Sequence, residues 1–134
     1  MIFFDTNVLV YATINQGDDK LALSEKSIEA AMDDGTFFIS PLVFSEYIFI
    51  LAKLKLSEKH HADILLYSRF IVGNIDGEVT MNAYTLCKEL SFCKNINDLI
   101  HLKIAEQYCT KIVTFDSDFK KLQAYTNVEI EILK

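Results

Sequence analysis

The sequence predicts an α/β domain, a small parallel β-sheet flanked by helices on both faces, and three observations lead there. Short, mainly apolar runs at residues 2–4 and 111–115 each end on an Asp, the look of strands buried on both faces. Stretches of helical periodicity separate the strand-like runs, and no hairpin turn joins any two of them, which favours parallel pairing through crossover helices.

Taken in order, Ile2 to Phe4 is the first strand, and a helix follows from about Thr6. Asn15 to Asp19 form a polar turn, and Leu21 to Met32 make a helix that stops at Asp33-Asp34-Gly35, the Gly suiting a left-handed C-terminal position. Thr36 to Ile39 is a second strand. Ser40-Pro41 reads as an N-cap followed by Pro at the first helical position, and that helix runs to about Leu54. Ser57 is expected to cap the next helix, which ends near Gly73, and Asn74 to Gly77 is a turn. Thr80 to Phe92 and Asn97 to Cys109 read as helices, Lys111 to Phe115 as a strand, and a short helix reaches about Tyr125. Val128 to Ile132 alternates as VEIEI, the pattern of an edge strand with one wet face.

A chain of 134 residues with only four Gly and one Pro fits a single domain, residues 1–134, with short loops. The N-terminal MIFFDTNVL has no basic region and carries an acid inside its apolar run, so neither a signal peptide nor a membrane span is expected. A cytoplasmic protein follows from that reading. Cys87, Cys93 and Cys109 match no metal or redox spacing and are expected to be reduced core thiols. The formal charge of −6 is unfavourable for binding nucleic acid, and Arg69 is the single Arg, so bidentate base readout by Arg is not expected.

Four acids stand out because each occupies an apolar stretch where a carboxylate is costly to bury. Asp5 and Asp116 lie where two strands end, the edge at which open α/β sheets bind ligands; each could also be a plain helix cap. Glu46 has Leu42, Val43, Phe49 and Ile50 as its helical neighbours, so it faces packed structure and calls for a metal or an Arg. At about 100° per residue, Asp98 shares a stripe with Leu102, Ala105 and Cys109, while Lys103, Glu106, Gln107 and Thr110 form the polar side. His101 also faces inward, as a hydrogen-bonded core histidine rather than a ligand, and His60 and His61 are surface residues. Four inward carboxylates suit a hard divalent cation.

The segments FDTNVLVYA, SPLVFSEY, NDLIHLKIAEQY and VTFDSDFKKL, in this order over nearly the whole chain, resemble the motifs of PIN-domain nucleases of the VapC toxin type. That resemblance implies a metal-dependent endoribonuclease, the toxin of a toxin-antitoxin pair, with Asp5, Glu46, Asp98 and Asp116 as an acidic quartet around Mg²⁺ or Mn²⁺. It implies Asn7 and Thr114 as supports of the quartet, Asp118 as an acid that shares or replaces the role of Asp116, an RNA substrate, an antitoxin partner and a homodimer. Lys120 and Lys121 are candidates for meeting the RNA backbone. The alternative is a PIN-like metal- or RNA-binding module without nuclease activity. A receiver-like phosphoacceptor is disfavoured because Asp5 has no acidic neighbour, and a DxD phosphatase because FDSDF lies far from the N-terminus.

Overall fold

The computed structural model describes residues 1–91 and 93–134. In chain order the elements are β1 (Ile2–Phe4), α1 (Thr6–Thr13), α2 (Lys20–Asp33), β2 (Phe37–Phe38), α3 (Pro41–Lys53), α4 (His61–Ser68), α5 (Gly77–Glu89), α6 (Ile96–Tyr108), β3 (Lys111–Thr114), a 3-10 helix (Ser117–Tyr125) and β4 (Glu129–Ile132). The sheet has the order β2-β1-β3-β4 and every pairing is parallel. From β1 the chain crosses to β2 on one side and later returns over β1 to β3 on the other. Right-handed crossovers in opposite directions place their helices on opposite faces, as the sequence predicts.

Each strand sends apolar side chains into the core. Phe3, Phe38, Ile112 and Ile130 are all fully buried, and the Phe3 and Phe38 rings meet at 5.8 Å across neighbouring strands. β4 is an edge strand with Glu129 exposed, while Lys111 of β3 donates to Glu131 at 3.1 Å and ties the edge to the centre. Gly35 closes α2 at φ 70°, the left-handed position anticipated for it. Ser40 accepts from the Val43 amide at 3.1 Å and starts α3 with Pro41 behind it.

Three local expectations are corrected. Ser57 is not a helix cap: residues 57–60 form a turn, and α4 begins at His61. Helix α5 begins at Gly77, earlier than Thr80, because the Asp76 carboxylate accepts from the Val79 amide at 2.9 Å and nucleates the first turn there. It ends at Glu89, and the Phe92 end expected for it lies outside the described residues. Cys87 and Cys93 are not separate thiols but a disulfide with a Cα–Cα distance of 5.5 Å, which fastens the end of α5 to the segment leading into α6. Cys109 is the free, half-buried cysteine, and burial pushes its thiol up to about 12.

Candidate active site

The register of the two central strands creates the site. Phe4 pairs with Val113, so Asp5 and Thr114 emerge side by side at the carboxyl edge, between β1 and β3. This is the switch point of the sheet, where the crossovers leave in opposite directions and a crevice opens. Asp5, Glu46, Asp98 and Asp116 all line one pocket of about 300 Å³, together with Thr6, Asn7, Val10, Tyr11, Gln16, Ile50 and His101. The acids come from the end of β1, the middle of α3, the first turn of α6 and the end of β3.

Asp5 is the most constrained of them. It is buried, its Oδ1 accepts from the Thr6 amide at 2.7 Å, and its Oδ2 accepts from the Thr114 hydroxyl at 2.7 Å and from Asn7 Nδ2 at 3.4 Å. Asn7 also donates to Thr114 Oγ1 at 3.2 Å and accepts from the Phe115 amide at 3.2 Å. The Asp116 amide in turn donates to Thr114 Oγ1 at 3.1 Å. Asn7 and Thr114 thus hold Asp5 and the Asp116 backbone in one hydrogen-bonded unit. Asp5 and Asp116 each also cap the helix that follows them, so cap and pocket acid are the same residue in both cases.

Glu46 has a partner the sequence reading did not foresee. His101 Nε2 lies 2.9 Å from Glu46 Oε1, Thr6 donates its hydroxyl to the same oxygen at 2.6 Å, and Asn97 donates to Oε2 at 3.3 Å. The compensating partner is therefore His101, and Arg69 is exposed elsewhere. His101 is a buried, hydrogen-bonded histidine, as expected, packed on the Phe3 ring at 5.4 Å, with Nδ1 buried and without a partner. Burial pulls the imidazole pKa down, but the Glu46 hydrogen bond and the charges of Asp5, Glu46 and Asp98 outweigh it and hold it above its ordinary value. Burial would raise Glu46, yet the His101 hydrogen bond and charge, with Thr6 and Asn97, keep it below the usual carboxylate value. The apolar helical face that marked Glu46 is only partly covered, since Phe49 is 66% exposed.

Asp98 behaves oppositely. Burial first, and then the charge of Asp5, push its carboxyl up to about 6, with Asp116 and Glu46 adding and His101 opposing. An all-oxygen donor set with one acid raised by its anionic neighbours fits a hard divalent cation, which would relieve that repulsion. Among the described residues no three His, Cys, Asp or Glu side chains stand close enough to hold an ion as they are. A cation shared by Asp5, Asp98 and Asp116 would need these side chains to draw closer together.

Asp118 does not line this pocket. It is exposed, paired with Lys94 at 3.8 Å and Lys121 at 3.5 Å, and borders an adjoining groove that shares Asp98 and Asp116 with the pocket. Lys121 lines the same groove. Lys120 donates to the Ile130 carbonyl at 2.7 Å and joins the 3-10 helix to β4. Thr6, Asn97 and His101 are the partners of Glu46 that escaped sequence reasoning. Their signal is adjacency: Thr6 follows Asp5, Asn97 precedes Asp98, and His101 lies one helical turn beyond Asn97.

A parallel sheet of order 2-1-3-4 with acids converging on its switch point defines an α/β protein with an acidic pocket. The chain belongs to the PIN domain family, whose pattern it matches over residues 2–125. No curated protein matches it in sequence. Among solved structures it is similar to VapBC2 from Rickettsia felis bound to a DNA fragment from their promoter, with 22% identity, a TM-score of 0.74 and full coverage of both chains. It is also similar to VapC20 of Mycobacterium tuberculosis, a sarcin-ricin loop cleaving toxin, with 16% identity and a TM-score of 0.70 over 96% of this chain and 99% of that one. No helix among the described residues is long and apolar enough to cross a membrane.

Proposed function

We propose that the protein is a Mg²⁺- or Mn²⁺-dependent endoribonuclease acting in the cytoplasm as the toxin of a toxin-antitoxin pair. The observation that carries this reading is the convergence of Asp5, Glu46, Asp98 and Asp116 on one pocket at the switch point of the sheet. Family membership and the two VapC-related folds support it.

Asp5, Asp98 and Asp116 would hold the cation, which when bound neutralises charge on the scissile phosphate and supplies an activated water. The chain's own residues do the rest. Thr114 and Asn7 occupy lone pairs of Asp5 and keep its carboxylate aimed. Glu46, kept anionic by His101, Thr6 and Asn97, is a weak base but a well-fixed acceptor, suited to orienting the attacking water. Hydrolysis adds water across the phosphodiester, leaving one new phosphate end and one new hydroxyl end. Asp118 would join the site only by leaving Lys94 and Lys121.

An antitoxin partner is part of this reading, as is a homodimer. Phe49 on α3 and Leu65 and Leu66 on α4 are exposed apolar residues on two helices that pack together, a surface that a partner would cover. A module without turnover is the second reading, favoured by the internal partner that His101 already gives to Glu46 and, at 3.9 Å, to Asp5.

Incubation of purified protein with single-stranded RNA and Mn²⁺ or Mg²⁺, followed by sequencing of the RNA ends, separates the two readings. Cleavage that stops in EDTA and in Asp5→Asn and Asp98→Asn is expected. Metal-independent cutting overturns the mechanism, and RNA binding without cutting favours the second reading.

A further inference from the structure

We propose that Tyr11 is a nucleobase platform, taking the base of an unstacked nucleotide beside the phosphate held at the acids, while Lys20 meets that nucleotide's backbone. This rests on reading the acidic pocket as a phosphodiester site. One wall of that pocket is formed by Val10, Tyr11 and Ile50, facing the same space as Asp5, Asp98 and Asp116. Tyr11 is half-buried, unlike the core tyrosines Tyr47 and Tyr67. Its ring is fixed relative to the acids, because Phe115, the residue before Asp116, meets it edge-on at 5.1 Å and 78°.

Lys20, at the start of α2, places its ammonium 4.4 Å from the Tyr11 ring centroid and 3.3 Å from the Tyr11 hydroxyl. A nucleotide carries two features that answer this wall: a flat base with a π-face, and an anionic phosphate. A phosphate is a stronger partner for an ammonium than an aromatic ring is, so Lys20 moves to it and uncovers the ring. A guanidinium from a protein partner could also stack on Tyr11, but Lys20 beside the ring repels it. A duplex presents no free base face and must first unstack one. The wall therefore selects single-stranded nucleic acid, and it does so by stacking, which tolerates any base.

The chain contains no Trp, so Tyr11→Trp carries the sole indole. The probes are an oligoadenylate, a ribose-phosphate chain of equal length without bases, and the same oligoadenylate in a duplex, titrated with Mg²⁺ into the Glu46→Gln protein, which keeps Asp5, Asp98 and Asp116 for the cation but loses the acceptor that orients the attacking water, so that nothing is cut. The indole is expected to be quenched by the single-stranded oligoadenylate and not by the abasic chain or the duplex. Tyr11→Leu, which keeps apolar bulk, is expected to weaken oligoadenylate binding roughly tenfold and abasic binding little. Lys20→Gln is expected to weaken both alike and to reduce the salt slope by about one. In the cutting-competent protein, Tyr11→Leu is expected to raise KM more than it lowers kcat.

Unchanged oligoadenylate affinity in a folded Tyr11→Leu protein, or equal loss for the abasic chain, overturns the platform while leaving the nuclease reading intact if the wild type still cuts RNA. A wild type that neither cuts nor binds RNA overturns both.

Discussion

His101 Nε2 sits 2.9 Å from Glu46 Oε1, across 55 residues of sequence, and the imidazole is fully enclosed. Removing one partner of such a pair leaves the other without compensation. His101→Ala is expected to cost roughly 2–4 kcal/mol of unfolding free energy, softened because Glu46 keeps Thr6 and Asn97. His101→Gln, which retains a donor, is expected to recover part of this in urea titrations at pH 7.

The same pair sets a pH window. His101 is raised above 6.5, so its contribution is full below that value and is lost as pH rises through the folded-state pKa. Glu46 is lowered below 4.5, so its contribution is full above that value and is lost as pH falls through the folded-state pKa. The stability difference between wild type and His101→Gln is therefore expected to peak between these limits and to shrink on either side, as denaturation at several pH values will show.

Asp98 is expected to show the reverse sign. Its folded pKa of about 6 exceeds the ordinary 3.8, so the folded state binds the extra proton and stability falls as pH rises between those values. At pH 7 without metal, Asp98→Asn is expected to stabilise by roughly 1–2 kcal/mol after allowance for partial solvent screening. Differential scanning fluorimetry should record this as an upward shift of about 4–7 °C. The variant should at the same time lose the stabilisation that Mg²⁺ or Mn²⁺ gives the wild type. For that wild-type stabilisation, protons compete with the cation at Asp98, so it is expected to be large at pH 7.5 and small at pH 5.

Thr114 serves both Asp5 and the Asp116 amide. Thr114→Val keeps the shape and removes the hydroxyl, so Asp5 Oδ2, the Asp116 amide and Asn7 Nδ2 each lose a hydrogen bond. A stability loss of roughly 1–3 kcal/mol and a roughly 10- to 100-fold loss of metal affinity are expected, read by chemical denaturation and by Mn²⁺ titration calorimetry.

Peptide mapping without reductant is expected to recover Cys87 and Cys93 linked to each other, with Cys109 alkylated only after unfolding. Recovery of all three as free thiols in the folded protein would contradict the bridge.

The strands, the helix order and the pocket position of the acids were readable because each depends on local pattern: an apolar run ending on Asp, or an acid on an apolar helical stripe. What escaped reading depends on distant partners. Nothing near Glu46 in sequence announces His101, so the charge seemed to require a metal or Arg69. Cys87 and Cys93 match no motif, yet the chain turning out of α5 brings them together. Lys120 looked free for RNA because its acceptor, the Ile130 carbonyl, belongs to the next strand. Asp118 differs from Asp116 by two positions, but the 3-10 helix turns it toward Lys94 and Lys121, away from the pocket.

The acids at 5, 46, 98 and 116 are carried by four separate elements, and the strand that delivers the last of them inserts beside the first. No fragment ending before β3 can contain the pocket, since Thr114 is what orients Asp5. During synthesis the site therefore closes late, after most of the chain has emerged, and a partly made chain carries its acids as scattered, solvated charges. The acidic pocket is thus a property of the nearly finished chain and of no shorter one.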